Sequence, residues 1–155
     1  MIKSFLSFLF LLLALTTFEI SPAFSARLFP GYAGVRWGTD VHAISQAYRN
    51  GTLGKIGDQF VYIQANPNQM MRQRTFGFEK AGLNAVSVTF SGAYVKNVGV
   101  ETILKQCIKQ YGSGLIDRSS APHLISYLWQ DGTTRITFAY APERPELTVL
   151  MFQKK

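Results

Sequence analysis

The stretch "LISYLWQDGTTRITFAY", residues 124–140, reads as two strands folded back on each other. Asp131-Gly132 is a strong short-range hairpin signal, because both residues tolerate the positive φ of a tight turn. On either side of it, apolar and polar residues alternate with the period of a strand. After a proline-flanked turn, "LTVLMFQ" (147–153) continues the same alternation. Ile125, Tyr127, Trp129, Ile136, Phe138, Tyr140, Leu150 and Phe152 fall on one side and form the expected core. The other side carries Leu124, Leu128, Ala139, Val149 and Met151 among Ser126, Arg135, Thr137 and Gln153. So many apolar members on an outward face point to a partner that covers it.

Upstream, Val100, Ile103, Leu104, Cys107, Ile108 and Tyr111 recur at three- and four-residue steps, the stripe of an amphipathic helix. Gly112 and Gly114 are placed to stop it. The first part of the chain follows the same order. A short strand through Val35–Trp37 gives way at Gly38, Thr39 or Asp40 caps a helix, and Val41, Ile44 and Tyr48 form its stripe. "RNGTLGKIGD" reads as a glycine-rich loop, and "FVYIQA" (60–65), "MRQRTFGF" (71–78) and "LNAVSVTF" (83–90) read as strands.

Overlaid, the halves keep a nearly constant offset. Tyr48 falls on Tyr111, Gly51 on Gly114, Ile44 on Cys107, and "TFGF" (75–78) on "TFAY" (137–140). Element order and spacing agree, which predicts an internal duplication. The expected fold is α+β: two tandem helix-plus-three-strand units, about 32–92 and 96–155, within one domain over residues 26–155. They are expected to form a six-stranded antiparallel sheet, or two small sheets, with both helices packed on one face.

The N-terminus carries a different signal. Lys3 precedes an almost unbroken apolar run from Phe5 to Phe18, and Ala23 and Ser25 supply the small residues before a cleavage at Ala26. That is the layout of a secretory signal peptide over residues 1–25. The run is shorter than the roughly 20 residues a membrane-spanning helix needs. A periplasmic or secreted bacterial protein is therefore expected, with no stable membrane span after cleavage. Removing residues 1–25 takes away Lys3 and Glu19 and leaves the net charge at +7. The basic residues are scattered rather than clustered, so a protein or an anionic envelope component suits them, and export argues against nucleic acid.

Catalytic schemes find little support. Cys107 is the only cysteine, which excludes an intramolecular disulfide, and it lies on the apolar helix stripe where a thiol acts as a small hydrophobe. His42 and His123 are the only histidines and are far apart in sequence, so no short-spaced ligand motif exists and neither metal nor cofactor is expected. "GSGLIDRSSAPH" (112–123) holds the residue types of a serine triad without a G-x-S-x-G elbow and reads as a loop. "GTLGKIGD" lacks the order of a phosphate-binding loop.

Trp37-Gly38-Thr39 opening a helix, followed by strands, resembles small exported bacterial envelope proteins of uncharacterised function. The element order is also similar to the tandem helix-plus-sheet domains of β-lactamase-inhibitor-like proteins and of small outer-membrane-assembly lipoproteins. This chain has neither the disulfides that brace the inhibitor halves nor a lipid-attachment cysteine after its apolar run. What the resemblance implies is a protein-binding envelope module. The residues expected to make contact are Arg72, Arg74, Arg135, Leu128 and Met151. The competing readings are a small hydrolase of an envelope polymer, using groups gathered between the halves, and a structural, self-associating protein.

Overall fold

A computed structural model describes residues 27–80 and 82–155. The expected signal peptide over 1–25 lies outside the described residues. The chain enters through a two-stranded ribbon, β1 (Gly31–Tyr32) and β2 (Val35–Arg36), followed by helix α1 (Val41–Ala47). Strands β3 (Thr52–Ile56), β4 (Gln59–Asn68), β5 (Met71–Glu79) and β6 (Gly82–Phe90) come next. Helices α2 (Gly92–Val98) and α3 (Val100–Tyr111) lead to β7 (Leu115–Asp117), β8 (Ile125–Gln130), β9 (Thr134–Ala141) and β10 (Arg144–Lys154). The large strands form one eight-stranded sheet in the order β3-β4-β5-β6-β10-β9-β8-β7, all neighbours antiparallel. The α+β class expected from the sequence is what the fold shows.

The strand and helix counts differ from expectation. Among the described residues the sheet has eight strands rather than six, and there are three helices rather than two. The two added strands, β3 and β7, fall inside the stretches read as loops. Each lies at a sheet edge, so it needs only one neighbour to satisfy its backbone groups, and β4 and β8 provide it. Gly99, with φ +83, separates α2 from α3, and Gly112, with φ +85, ends α3.

The core occupies one side of the sheet. Row by row, Leu53, Tyr62, Phe76, Val86, Phe152, Ile136 and Trp129 stand opposite one another across seven strands. Phe76, Val86, Phe152, Ile136 and Trp129 pack into a single buried cluster with Ile44 of α1, Val95 of α2, and Ile103 and Cys107 of α3. The helices therefore cover this side. Tyr127, Tyr140 and Leu150 pack against the cluster as the alternation predicts. Burial raises the Cys107 thiol to about 11, so it is protonated at neutral pH, as its place on the stripe implies.

The Trp37–Asp40 run joins these layers. Gly38, at φ +86, turns the chain so that its N–H donates to the Leu83 carbonyl at 2.8 Å, and the Leu83 N–H donates to the Thr39 carbonyl at 2.8 Å. Asp40 caps α1, its carboxylate accepting the Ala43 N–H at 2.9 Å. That bond holds the carboxyl below its ordinary range. The Thr39 hydroxyl donates instead to the Arg36 carbonyl at 2.8 Å. The Trp37 indole N–H reaches the Thr134 hydroxyl at 3.0 Å and so ties the entry segment to the β8–β9 hairpin.

Asp131 reinforces that tie. Its burial pushes the carboxyl pKa up, but N–H groups of Thr133, Thr134 and Leu28 outweigh the burial and hold it below its ordinary range.

Candidate functional site

The other side of the sheet has no helix against it in the buried cluster. Its central row runs Thr52, Ile63, Thr75, Ser87, Met151, Thr137, Leu128 and Leu115, one residue from each strand in spatial order. Gln73, Thr89, Val149, Ala139 and Ser126 form the next row on one flank, and Gly77, Ala85, Gln153, Arg135 and Gln130 the row on the other. The face is thus built of hydroxyl, amide and small side chains around Ile63, Val149, Met151 and Leu128, each half-buried. Few charges interrupt it. Uncharged, semi-apolar ground ringed by polar groups has the make-up of the central part of a protein–protein contact.

Three of the five expected contact residues meet here. Met151 and Leu128 share the central row with only Thr137 between them, and exposed Arg135 lies in the neighbouring row. Arg72 does not join them. It is exposed in the irregularity between Met71 and Gln73, at the start of β5.

Arg74 does not join them either, because it lies half-buried on the helix-covered side, in register with Gln64 and Val88. Its guanidinium stands 5.0 Å from the Tyr48 ring centroid and 5.7 Å from that of Tyr32. It donates to the side-chain amide oxygen of Gln64 (Oε1) at 3.2 Å and to the Met71 sulfur at 3.2 Å. Its Nε is buried without a hydrogen-bond partner. Burial raises the Tyr32 phenol, and the nearby guanidinium offsets part of that rise. The physical reason for the misplacement is strand period. Arg74 alternates in phase with Phe76 and Phe78, so it faces the same way, and two aromatic faces offset the loss of water around its charge.

No protein-family model matches the chain, and no curated protein matches its sequence. Among solved structures, it is similar to a DUF4309 family protein (YjgB) from Bacillus subtilis, with a TM-score of 0.49 and 14% identity over 76% of this chain and 79% of that one.

The residues considered for chemistry are dispersed. His42 is exposed on α1, its Nε2 2.9 Å from the Gln46 amide nitrogen, and His123 is exposed before β8. Among the described residues no group of three or more His, Cys, Asp or Glu side chains converges. Likewise, no helix there is long and apolar enough to cross a membrane.

Ile63, Thr75 and Ser87 complete the central row without having been expected as contacts. The alternation in "FVYIQA", "MRQRTFGF" and "LNAVSVTF" carries that placement once the phase of the second half is applied to the first.

Proposed function

We propose that the chain is an exported, non-enzymatic module that binds a protein of the cell envelope through the helix-free face of its sheet. The observation that carries this reading is the central row from Ile63 to Leu128, semi-apolar and almost uncharged on an otherwise basic protein. Arg135 at its margin and the net charge of +7 favour a partner whose own rim is acidic. Cell fractionation of the full chain tests export, with the protein expected outside the cytoplasm.

Immobilised protein and envelope extract test the face. The wild type is expected to retain a protein that the Leu128→Glu, Met151→Glu double variant does not. Equal recovery by both, or none by either, overturns the proposal.

The same reading includes the duplication expected from the sequence, each helix-plus-three-strand unit extended by an edge strand, β3 or β7, with α2 outside the repeat. Several placements support it. β6 and β10 pair at the centre of the sheet, with Ser87 opposite Met151. Outward from that pair, Thr75 and Thr137 occupy matching strands, then Ile63 and Leu128, then Thr52 and Leu115 at the edges.

The helix exits match as well. The Tyr62 hydroxyl donates to the Tyr48 carbonyl at 2.7 Å, and the Trp129 indole N–H donates to the Gly112 carbonyl at 2.7 Å. A Cβ on Gly51 would enter the Tyr62 ring, and one on Gly114 the Trp129 ring. Only glycine lets the chain pass beneath each aromatic.

A further inference from the structure

The helix-covered side is left open at one end. Leu53 and Phe60 point to that side, opposite Tyr62 and Phe78, yet they are 62% and 59% exposed. With Val41 of α1 and buried Phe78 they wall a cavity of about 580 Å³. Its size falls within the range of small-molecule sites, and its walls are almost wholly carbon. The charged groups lining it are Lys55 and Lys80, both exposed, and no acid stands among its described lining residues. The Lys55 ammonium rests 4.6 Å from the centroid of the Phe60 ring, so a cation sits against the apolar wall itself.

We infer that this cavity binds a free long-chain carboxylate, with the alkyl chain between Val41, Leu53, Phe60 and Phe78 and the carboxylate held by Lys55 and Lys80. An apolar slot alone takes any hydrophobe. Two lysines without an opposing acid select an anionic head, and they accept it without burying an unpaired charge. Each methylene taken from water adds about fourfold to affinity, so chain length sets the strength and the lysines set the head-group preference. The site lies on the opposite side of the sheet from Leu128 and Met151 and does not depend on that face having a partner.

Calorimetric titration of the purified chain with laurate, held below its micelle concentration, tests the inference. Laurate is expected to bind roughly tenfold more tightly than dodecanol. The Lys55→Glu, Lys80→Glu double variant should abolish that preference, with laurate binding no more tightly than dodecanol to the same variant. Leu53→Asn with Phe60→Asn should weaken both probes, whereas Leu128→Asn on the far face should weaken neither. All four substituted cavity residues are exposed, so each variant should keep the wild-type urea midpoint, measured alongside. Equal affinity for laurate and dodecanol overturns the inference, as does indifference to either double variant. Binding to phosphatidylglycerol vesicles without binding of monomeric laurate also overturns it, and would make the patch a membrane-surface contact instead.

Discussion

The second and third strands from one edge of the sheet, β4 and β5, differ in one respect from β8 and β9, the second and third from the other. On the helix-covered side, Phe76 and Phe138 are both fully buried, at 0% exposure. One step along each strand, β4 and β5 set Gln64 against Arg74, whereas β8 and β9 set Trp129 against Ile136. The first pair is polar and leans on Tyr32 and Tyr48, and the second is apolar, with the Trp129 ring meeting that of Tyr111 at a tilt. One architecture therefore accepts either solution. The cation is tolerated because aromatic faces, an amide oxygen and a thioether surround it, although its Nε has no partner. The apolar pair needs no such surroundings.

The largest expected effect tests whether the two sides are equivalent at all. Phe76→Ala and Phe138→Ala should each cost about 3–5 kcal/mol, the usual penalty for emptying a buried aromatic site. Urea unfolding followed by circular dichroism measures both. Losses within about 1 kcal/mol of each other support equal roles for the two strands, given the context-dependence of such penalties. A loss at one site and none at the other breaks the comparison.

A smaller effect separates the polar pair from the apolar one. Replacing a buried charge by an apolar residue of similar length is often nearly neutral, because the desolvation penalty disappears with the interactions. Arg74→Met should therefore stay within about 1.5 kcal/mol of the wild type, its lost ring contacts offset by removal of the unpartnered Nε. Ile136→Met should fall in the same range as a volume-conserving swap. The informative contrast is Gln64→Ala, which empties the amide beside Arg74 and leaves the guanidinium fewer acceptors. It should cost more than Arg74→Met, and the reverse order would show that the cation is a net stabiliser.

Arg74 also shows what the sequence made legible and what it did not. Strands β4, β5, β6, β8, β9 and β10 announce themselves by alternation, because each has neighbours on both sides and one face in the core. β3 and β7 do not, since an edge strand with Leu53 or Leu115 largely exposed has neither constraint and looks like loop. The helix α2 is short, begins at Gly92, and buries only Val95, too little to make a stripe. Alternation places Arg135 on the outward face, whereas Arg74 is expected as a contact residue without regard to its phase. Period two supports contact for Arg135, which alternates with Ile136 and Phe138, and contradicts it for Arg74, which is in phase with Phe76. Periodicity was the better guide than charge. The helix-free face was legible in the second half, through Leu128, Val149 and Met151, and only register extends it into the first. The cavity was not legible, because Val41, Leu53, Phe60 and Lys80 meet only in three dimensions.

The smallest effect concerns the helices and depends on pH. The residues placed at equivalent points of the two stripes are Ile44 on α1 and Cys107 on α3, both buried in the one cluster. They differ in that only the thiol titrates. Burial lifts its pKa from 9.0 to about 11, so the folded protein holds the proton more tightly than the unfolded chain. The stabilisation is fully present below pH 9. It declines as the pH rises from 9 toward 11, because the unfolded thiol ionises first and unfolding then releases a proton. Burial raises Tyr32, Tyr48 and Tyr111 in the same direction, so an alkaline decline should persist without the thiol. Cys107→Val removes the thiol's share while keeping the stripe apolar. Thermal unfolding at intervals from pH 7.5 to 10.5 should give a shallower alkaline loss for the variant than for the wild type. Parallel curves would mean that Cys107 reaches water in the native state. In that case a thiol reagent should label it rapidly at pH 8, and α3 would pack less closely on the sheet than its amphipathic stripe requires.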